Sequence, residues 1–216
     1  MKKQPTPIAY MLSIDPANHG SGLALWYAMD PDWSAWKLIG SIQTVKNCDQ
    51  LRAIEYLKDL TVGNGHDVSD QGCYLVLETW TTQRGRAAVE SLAACQKMWI
   101  QAAERVFKKV VTFKVNSQTW QSQTGVLRAK RLAGNDTKAV TALLAASIVP
   151  GVRLSEDQAD ALVMGDWWLH AGGPDGQTER TDRKKAEKKR KREKAAMKKC
   201  KTIQVDEAYY RQLGLL

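Results

Sequence analysis

Cysteine is scarce and scattered. Cys48, Cys73, Cys95 and Cys200 are the four among 216 residues, and no two form a C-x-x-C pair. That disfavours a zinc knuckle or a disulfide framework, and reduced thiols in a cytoplasm are expected. No apolar run reaches the roughly 18 residues that make a transmembrane candidate, so no membrane partner is expected. The opening Met1-Lys2-Lys3-Gln4-Pro5-Thr6-Pro7 is not followed by an apolar core with a small-residue cleavage site. No secretory signal is therefore expected. Hydrophobic residues make up 44% of the chain, too many for disorder throughout. The length suits one ordinary domain with an appendage.

Positive charge is present, but in one place. The formal net charge is +9, and residues 179–201 hold 13 of the 32 Lys+Arg with only 4 of the 23 Asp+Glu. The rest of the chain is formally neutral. A block such as ERTDRKKAEKKRKREKAAMKKCK favours polyanions, because contact with phosphates releases condensed counterions. A solvated charged helix or a partly disordered tail has the same composition. Ahead of the block, Ala171-Gly172-Gly173-Pro174-Asp175-Gly176-Gln177 is poorly suited to continuing a helix. The expected organisation is a domain over 1–172, a linker over 173–178 and a basic extension over 179–216.

Within the domain, IAYMLSID (8–15), SGLALWYAM (21–29) and AWKLIGSIQT (35–44) are apolar runs joined by short turns. They predict an antiparallel meander. Residues 48–60 have helical spacing at Leu51, Ile54, Leu57 and Leu60, and CYLVLETW (73–80) resembles a buried central strand. A long helix is predicted over 85–107, with Val89, Leu92, Ala93, Met98 and Ile100 as its apolar positions, followed by a strand at 110–115. Asp136 and Ser155 can cap two further helices, with Gln158 at the capping-box position of the second. The order predicts a mixed sheet with helices packed on it.

Four carboxylates stand out. Asp15 ends the first strand, Glu78 lies near the end of the buried one, and Asp157 and Asp160 share one face of the last helix by their i,i+3 spacing. A carboxylate at the end of an apolar strand costs several kcal/mol if buried unpaired. Mg²⁺ or Mn²⁺ rewards such a cluster, and two ions about 3.5–4 Å apart can serve both sides of a scissile phosphodiester. Singly, each acid has a structural explanation: a turn at Asp15-Pro16, a pair of Glu78 with Arg84 or Arg86, a helix dipole at Asp157.

MLSIDPANHGSGLALW, YLVLETW, VNSQTWQSQTGV, NDTKAVTALLAA and SEDQADALVMGDWW, in that order, resemble the RuvC family of Holliday-junction resolvases, and its phage-encoded branch in particular. The resemblance spans about residues 9–170. It implies an RNase H-like α/β fold: a five-stranded mixed sheet with helices on both faces, here with a basic C-terminal extension. It further implies a homodimer, branched DNA as partner, and two Mg²⁺ per site with Mn²⁺ able to substitute. By position, Asp15, Glu78, Asp157 and Asp160 are the implied metal ligands, and Lys138 the residue beside the phosphate. VNSQTWQSQTGV is similar to the loop before the lysine helix. Two departures stand out: many relatives have a lysine or arginine around Trp120-Gln121, and the first turn has Ala17 where glycine is usual. Glu156, beside Asp157, is a candidate surrogate ligand.

For DNA contact, Trp80, Arg84 and Arg86 follow Glu78 directly, a placement that suits stacking on unpaired bases and contacting phosphates. A helix-entry loop with Trp80 on the core is the competing reading. Arg128, Lys130 and Arg131 form a second candidate patch, and Lys184, Lys185, Lys188, Lys189 and Arg190 a third. Trp167 and Trp168 are expected to pack in the core, and His19 is read as an exposed turn residue. The expected activity is metal-dependent nicking of branched DNA in the cytoplasm of a bacterial host of a phage. The alternatives are a broader nuclease on flaps, forks or RNA, and a non-catalytic nucleic-acid-binding recombination protein.

Overall fold

A computed structural model describes residues 8–17, 19–29, 35–46, 48–79, 86–133, 136–171 and 173. The side chains of 86 and 130–133 are excepted. The strands and helices named below lie in Met1–His170, which forms one compact unit. No helix among the described residues is long and apolar enough to cross a membrane.

Three strands open the chain as the predicted meander: β1 (Ile8–Asp15), β2 (Gly22–Ala28) and β3 (Trp36–Gln43), paired antiparallel. Helix α1 (Gln50–Thr61) follows, capped by the Asp49 carboxylate accepting from the Arg52 amide at 2.9 Å. Then come β4 (Gly72–Thr79), the long α2 (Arg86–Val106) and β5 (Lys109–Asn116). Strand β4 lies parallel to both β1 and β5, which gives one five-stranded mixed sheet of order β3-β2-β1-β4-β5.

Alternation along the strands decides what each face meets. Tyr10, Leu12 and Ile14 of β1 and Cys73, Leu75 and Leu77 of β4 join one core cluster with Leu57 of α1 and Trp99 of α2. The intervening residues face the other way, toward α6 (Glu156–His170). There Ser13 and Trp26 approach Gly165 so closely that a Cβ would lie 2.5 Å from the Ser13 hydroxyl. Tyr74 and Phe113 meet the Trp168 ring, at 5.6 and 5.4 Å between centroids. Helices thus cover both faces, and both Trp167 and Trp168 are buried as expected.

Three expectations need correction. The stretch 117–133 is not loop: it forms α3 (Ser117–Gln123) and α4 (Val126–Ala133). Asn116 caps α3 by accepting from the Gln118 amide, and Gly125, at φ +86°, breaks the chain between the two helices. Leu51 on α1 is 73% exposed, and Val89 and Ala93 on α2 are also exposed. The buried face of α2 runs instead through Leu92, Gln96, Trp99, Ala102 and Ala103, a set at helical spacing that includes a polar glutamine. The last two helices start where their caps predict. Asp136 opens α5 (Thr137–Ile148) by accepting from the Lys138 amide. Ser155 and Gln158 form a reciprocal capping box ahead of α6, with bonds of 3.2 and 3.0 Å.

Candidate active site

The sheet brings the first two acids together by register. Ile14 of β1 is paired with Leu77 of β4, so Asp15 and Glu78 are the next residues on adjacent parallel strands and share the face that meets α6. Across the other edge, Asp15 pairs with Gly22 of β2, and Gly22 pairs with Gln43 of β3. The row Gln43–Gly22–Asp15–Glu78 therefore crosses four strands at one end of the sheet. Its gap is Gly22: any Cβ there would run into the backbone carbonyl of Asp157. Glycine lets the first turn of α6 settle onto β2, which places Asp157 and Asp160 beside Asp15.

Each carboxyl has a distinct environment. Asp15 and Glu78 are both buried, 6% and 7% exposed. Burial pushes the Asp15 carboxyl well above the ordinary carboxylate range. The Glu78 charge, a hydrogen bond to Glu78 and the Asp157 charge add to this, and Lys138 opposes it. Its Oδ1 is buried with no hydrogen-bond partner among the described residues. Glu78 is held at both ends: the Trp120 indole donates to its Oε1 at 2.8 Å, and the Gln96 amide donates to its backbone carbonyl at 2.7 Å. Asp157 accepts from the Gln43 amide at 3.0 Å, and Gln43 in turn accepts from the Ser155 hydroxyl. The Asp160 carboxyl is pushed up to about 7, first by burial and then by the charges of Asp15 and Asp157. A hydrogen bond with Thr141 and the charge of Lys138 pull it the other way.

Lys138 opens α5 over this cluster, and its ammonium makes an ion pair with Glu156. Glu156 therefore faces the lysine. Trp120, Gln43, Gln96 and Thr141 were not read as site residues from the sequence. Trp120 carried one signal: it stands where the family resemblance leads one to expect a cation, and a neutral indole N–H takes up Glu78 there. Ala17 is accommodated because the turn's left-handed position is Gly20, at φ +127°.

Of the expected DNA-contacting residues, Arg128 is exposed on α4. Arg86 opens α2, and Lys130 and Arg131 belong to α4, but their side chains lie outside the described residues. So do Trp80, Arg84, Lys184, Lys185, Lys188, Lys189 and Arg190.

The donor set is all oxygen, which suits a hard divalent cation better than a soft one, and the orphaned Asp15 oxygen is an acceptor in want of a cation or a proton. Even so, among the described residues no three of His, Cys, Asp or Glu are gathered closely enough to hold a metal ion. The acids rest on a shared hydrogen bond and on neutral donors.

No protein-family model matches the chain, and no curated protein does. Solved structures do. The RuvC of T. thermophilus in complex with a Holliday junction substrate is similar at a TM-score of 0.51 and 14% identity, over 76% of this chain and 96% of that one. The yeast mitochondrial Holliday junction resolvase Ydc2 aligns at a TM-score of 0.42 and 10% identity, over 77% and 82%. A fowlpox virus resolvase bound to junction DNA aligns at 0.37 and 10%, over 75% and 97%. At these identities the likeness is one of fold, and the fold of this chain is the RNase H-like α/β fold of RuvC.

Proposed function

We propose that the protein is a metal-dependent endonuclease that nicks branched DNA, with the Holliday junction as its main substrate. The observation that carries this reading is the row of acids: two buried carboxyls side by side on the central strands, two more on the helix packed against them, and one buried oxygen without a partner among the described residues. Stability alone does not favour that arrangement, since each buried charge raises the cost of the next.

In this reading Asp15, Glu78, Asp157 and Asp160 would hold two Mg²⁺ ions. When bound, such ions supply an activated water and stabilise the departing oxygen of the phosphodiester. The residues of the chain do the rest. Trp120 fixes Glu78 by donating to its Oε1. Gln43 orients Asp157 through Oδ2. Lys138 leaves Glu156 to neutralise the incoming phosphate, and Glu156 keeps the ammonium over the site until then. Arg84, Arg86, Arg128 and the basic 179–201 segment hold the arms of the DNA. A homodimer presents two such sites to opposed strands of a junction, whose symmetry is close to twofold.

Asp15→Asn should leave junction binding largely intact and abolish Mg²⁺-dependent cleavage. A variant that cuts at the parent rate would overturn the assignment. Comparing cleavage of a mobile junction, a flap and a linear duplex tests the substrate: equal rates on all three would make the protein a broader nuclease.

A further inference from the structure

We infer that a cavity on the opposite side of the sheet end, beside the acids, holds one unpaired nucleotide of the substrate strand. The substrate follows from the nuclease reading; the cavity stands on its own geometry. It is an open cleft of about 420 Å³ between the β1–β2 turn, the connection from β3 to α1, and α2. That lies within the roughly 300–1,000 Å³ range of small-molecule sites.

Its lining has the two halves a nucleotide requires. Ala94, Cys95 and Met98 of α2 make an apolar floor, with the polarisable Met98 thioether suited to lie against a ring. At the rim stand His19 and Lys46, both exposed, neither ion-paired among the described residues. Ser91 adds an exposed hydroxyl on the wall. Among the described residues no carboxylate lines the space, and Cys48 adds no negative charge near neutral pH, because burial pushes its thiol up to about 11. A phosphate is therefore welcome at the rim and a base on the floor.

Position connects this cavity to the chemistry. Ala17 in its wall is two residues beyond Asp15, and the Asp15 charge is felt at Cys95 in its floor. Asp15 itself faces α6, whereas α2 covers the other face. A strand laid over the sheet end would cross from the acids to the cavity within a short reach, and a nucleotide already free of its partner leaves the stack to enter at the least cost.

The test uses the full-length protein in EDTA, with an oligonucleotide carrying 4-thiothymidine at an unpaired position. Irradiation should crosslink that base to the α2 peptide containing Cys95 and Met98. Ala94→Phe, which fills the floor from an exposed helix position, should reduce the crosslink at least about tenfold. Lys46→Ala should lower the salt slope of binding by about one phosphate contact. A crosslink that forms elsewhere, or survives Ala94→Phe unchanged, overturns the proposal. So does thymidine monophosphate competing as well as the oligonucleotide, which would make the occupant a free nucleotide. Cleavage assayed in parallel separates the two readings. An α2 crosslink without Mg²⁺-dependent cutting keeps the pocket and sinks the nuclease, and cutting without an α2 crosslink does the reverse.

Discussion

At the scale of single residues, burial first and neighbouring carboxylates second hold Asp15 and Asp160 above the ordinary carboxylate range. Asp160, with its carboxyl pushed up to about 7, binds a proton more tightly folded than unfolded. Its contribution to stability is therefore intact below the ordinary carboxylate range near pH 4 and is lost as pH rises toward 7. In EDTA, Asp160→Asn should raise the melting temperature at pH 8 and change it little near pH 4. With Mg²⁺ present the parent should gain stability at pH 8 and the variant should gain less. A variant that melts below the parent at pH 8 in EDTA would show that the carboxyl is not strained by burial. Trp120 offers a second measurement. Trp120→Phe removes the donor to Glu78, whereas Trp168→Phe removes an equally buried indole whose N–H has no partner among the described residues. The first should cost about 1–3 kcal/mol more than the second in urea denaturation. It should also weaken Mn²⁺ binding about tenfold, and the second should not.

Elements rather than residues explain why the acids meet. The strands and capped helices were readable because their signals are local: alternating apolar runs, Asp136 before α5, the Ser155–Gln158 pair before α6. The four acids were readable because strand ends and i,i+3 spacing are visible in a string of letters. Their supports were not. Gln43, Gln96 and Trp120 reach Asp157 or Glu78 across sequence separations that no periodicity reports, and Gln96 sits at a buried helix position that a hydrophobicity count passes over. Helix α3 was missed because SQTWQSQ is polar, and α4 because its amphipathic VLRAKRLA is only eight residues long and Gly125 ahead of it resembles a loop marker, although it only separates two short helices. Gly22 makes the point most sharply, since nothing local distinguishes it from a turn residue, yet its missing side chain is what admits α6. Gly22→Ala should therefore destabilise the protein by about 1–3 kcal/mol or more and weaken divalent-cation binding together. Gly63→Ala, where a Cβ meets nothing within 4 Å, is the matched control. Equal denaturation midpoints for the two variants would mean that β2 and α6 tolerate being pushed apart.

For the whole molecule, charge is divided between a strongly basic 179–201 segment and the rest of the chain, which is formally neutral. If that segment grips DNA and the domain does the cutting, removing 179–216 should reduce affinity and flatten the dependence of binding on salt, by roughly 0.9 in logarithmic slope for each phosphate no longer neutralised. Mg²⁺-dependent cleavage at saturating protein should persist. An unchanged slope would leave the domain surface, through Arg128 and its neighbours, as the main DNA-binding face.

The placement of α6 has a consequence for synthesis. It is the last helix of the compact unit, and it brings Asp157 and Asp160 to two acids laid down near the start and the middle of the chain. A nascent polypeptide halted after β5 and before Glu156 carries all five strands but only two of the four acids. If the acids are the cutting centre, the ribosome releases no active fragment, and a nuclease that would endanger its producer's own nucleic acid stays harmless until translation is nearly finished.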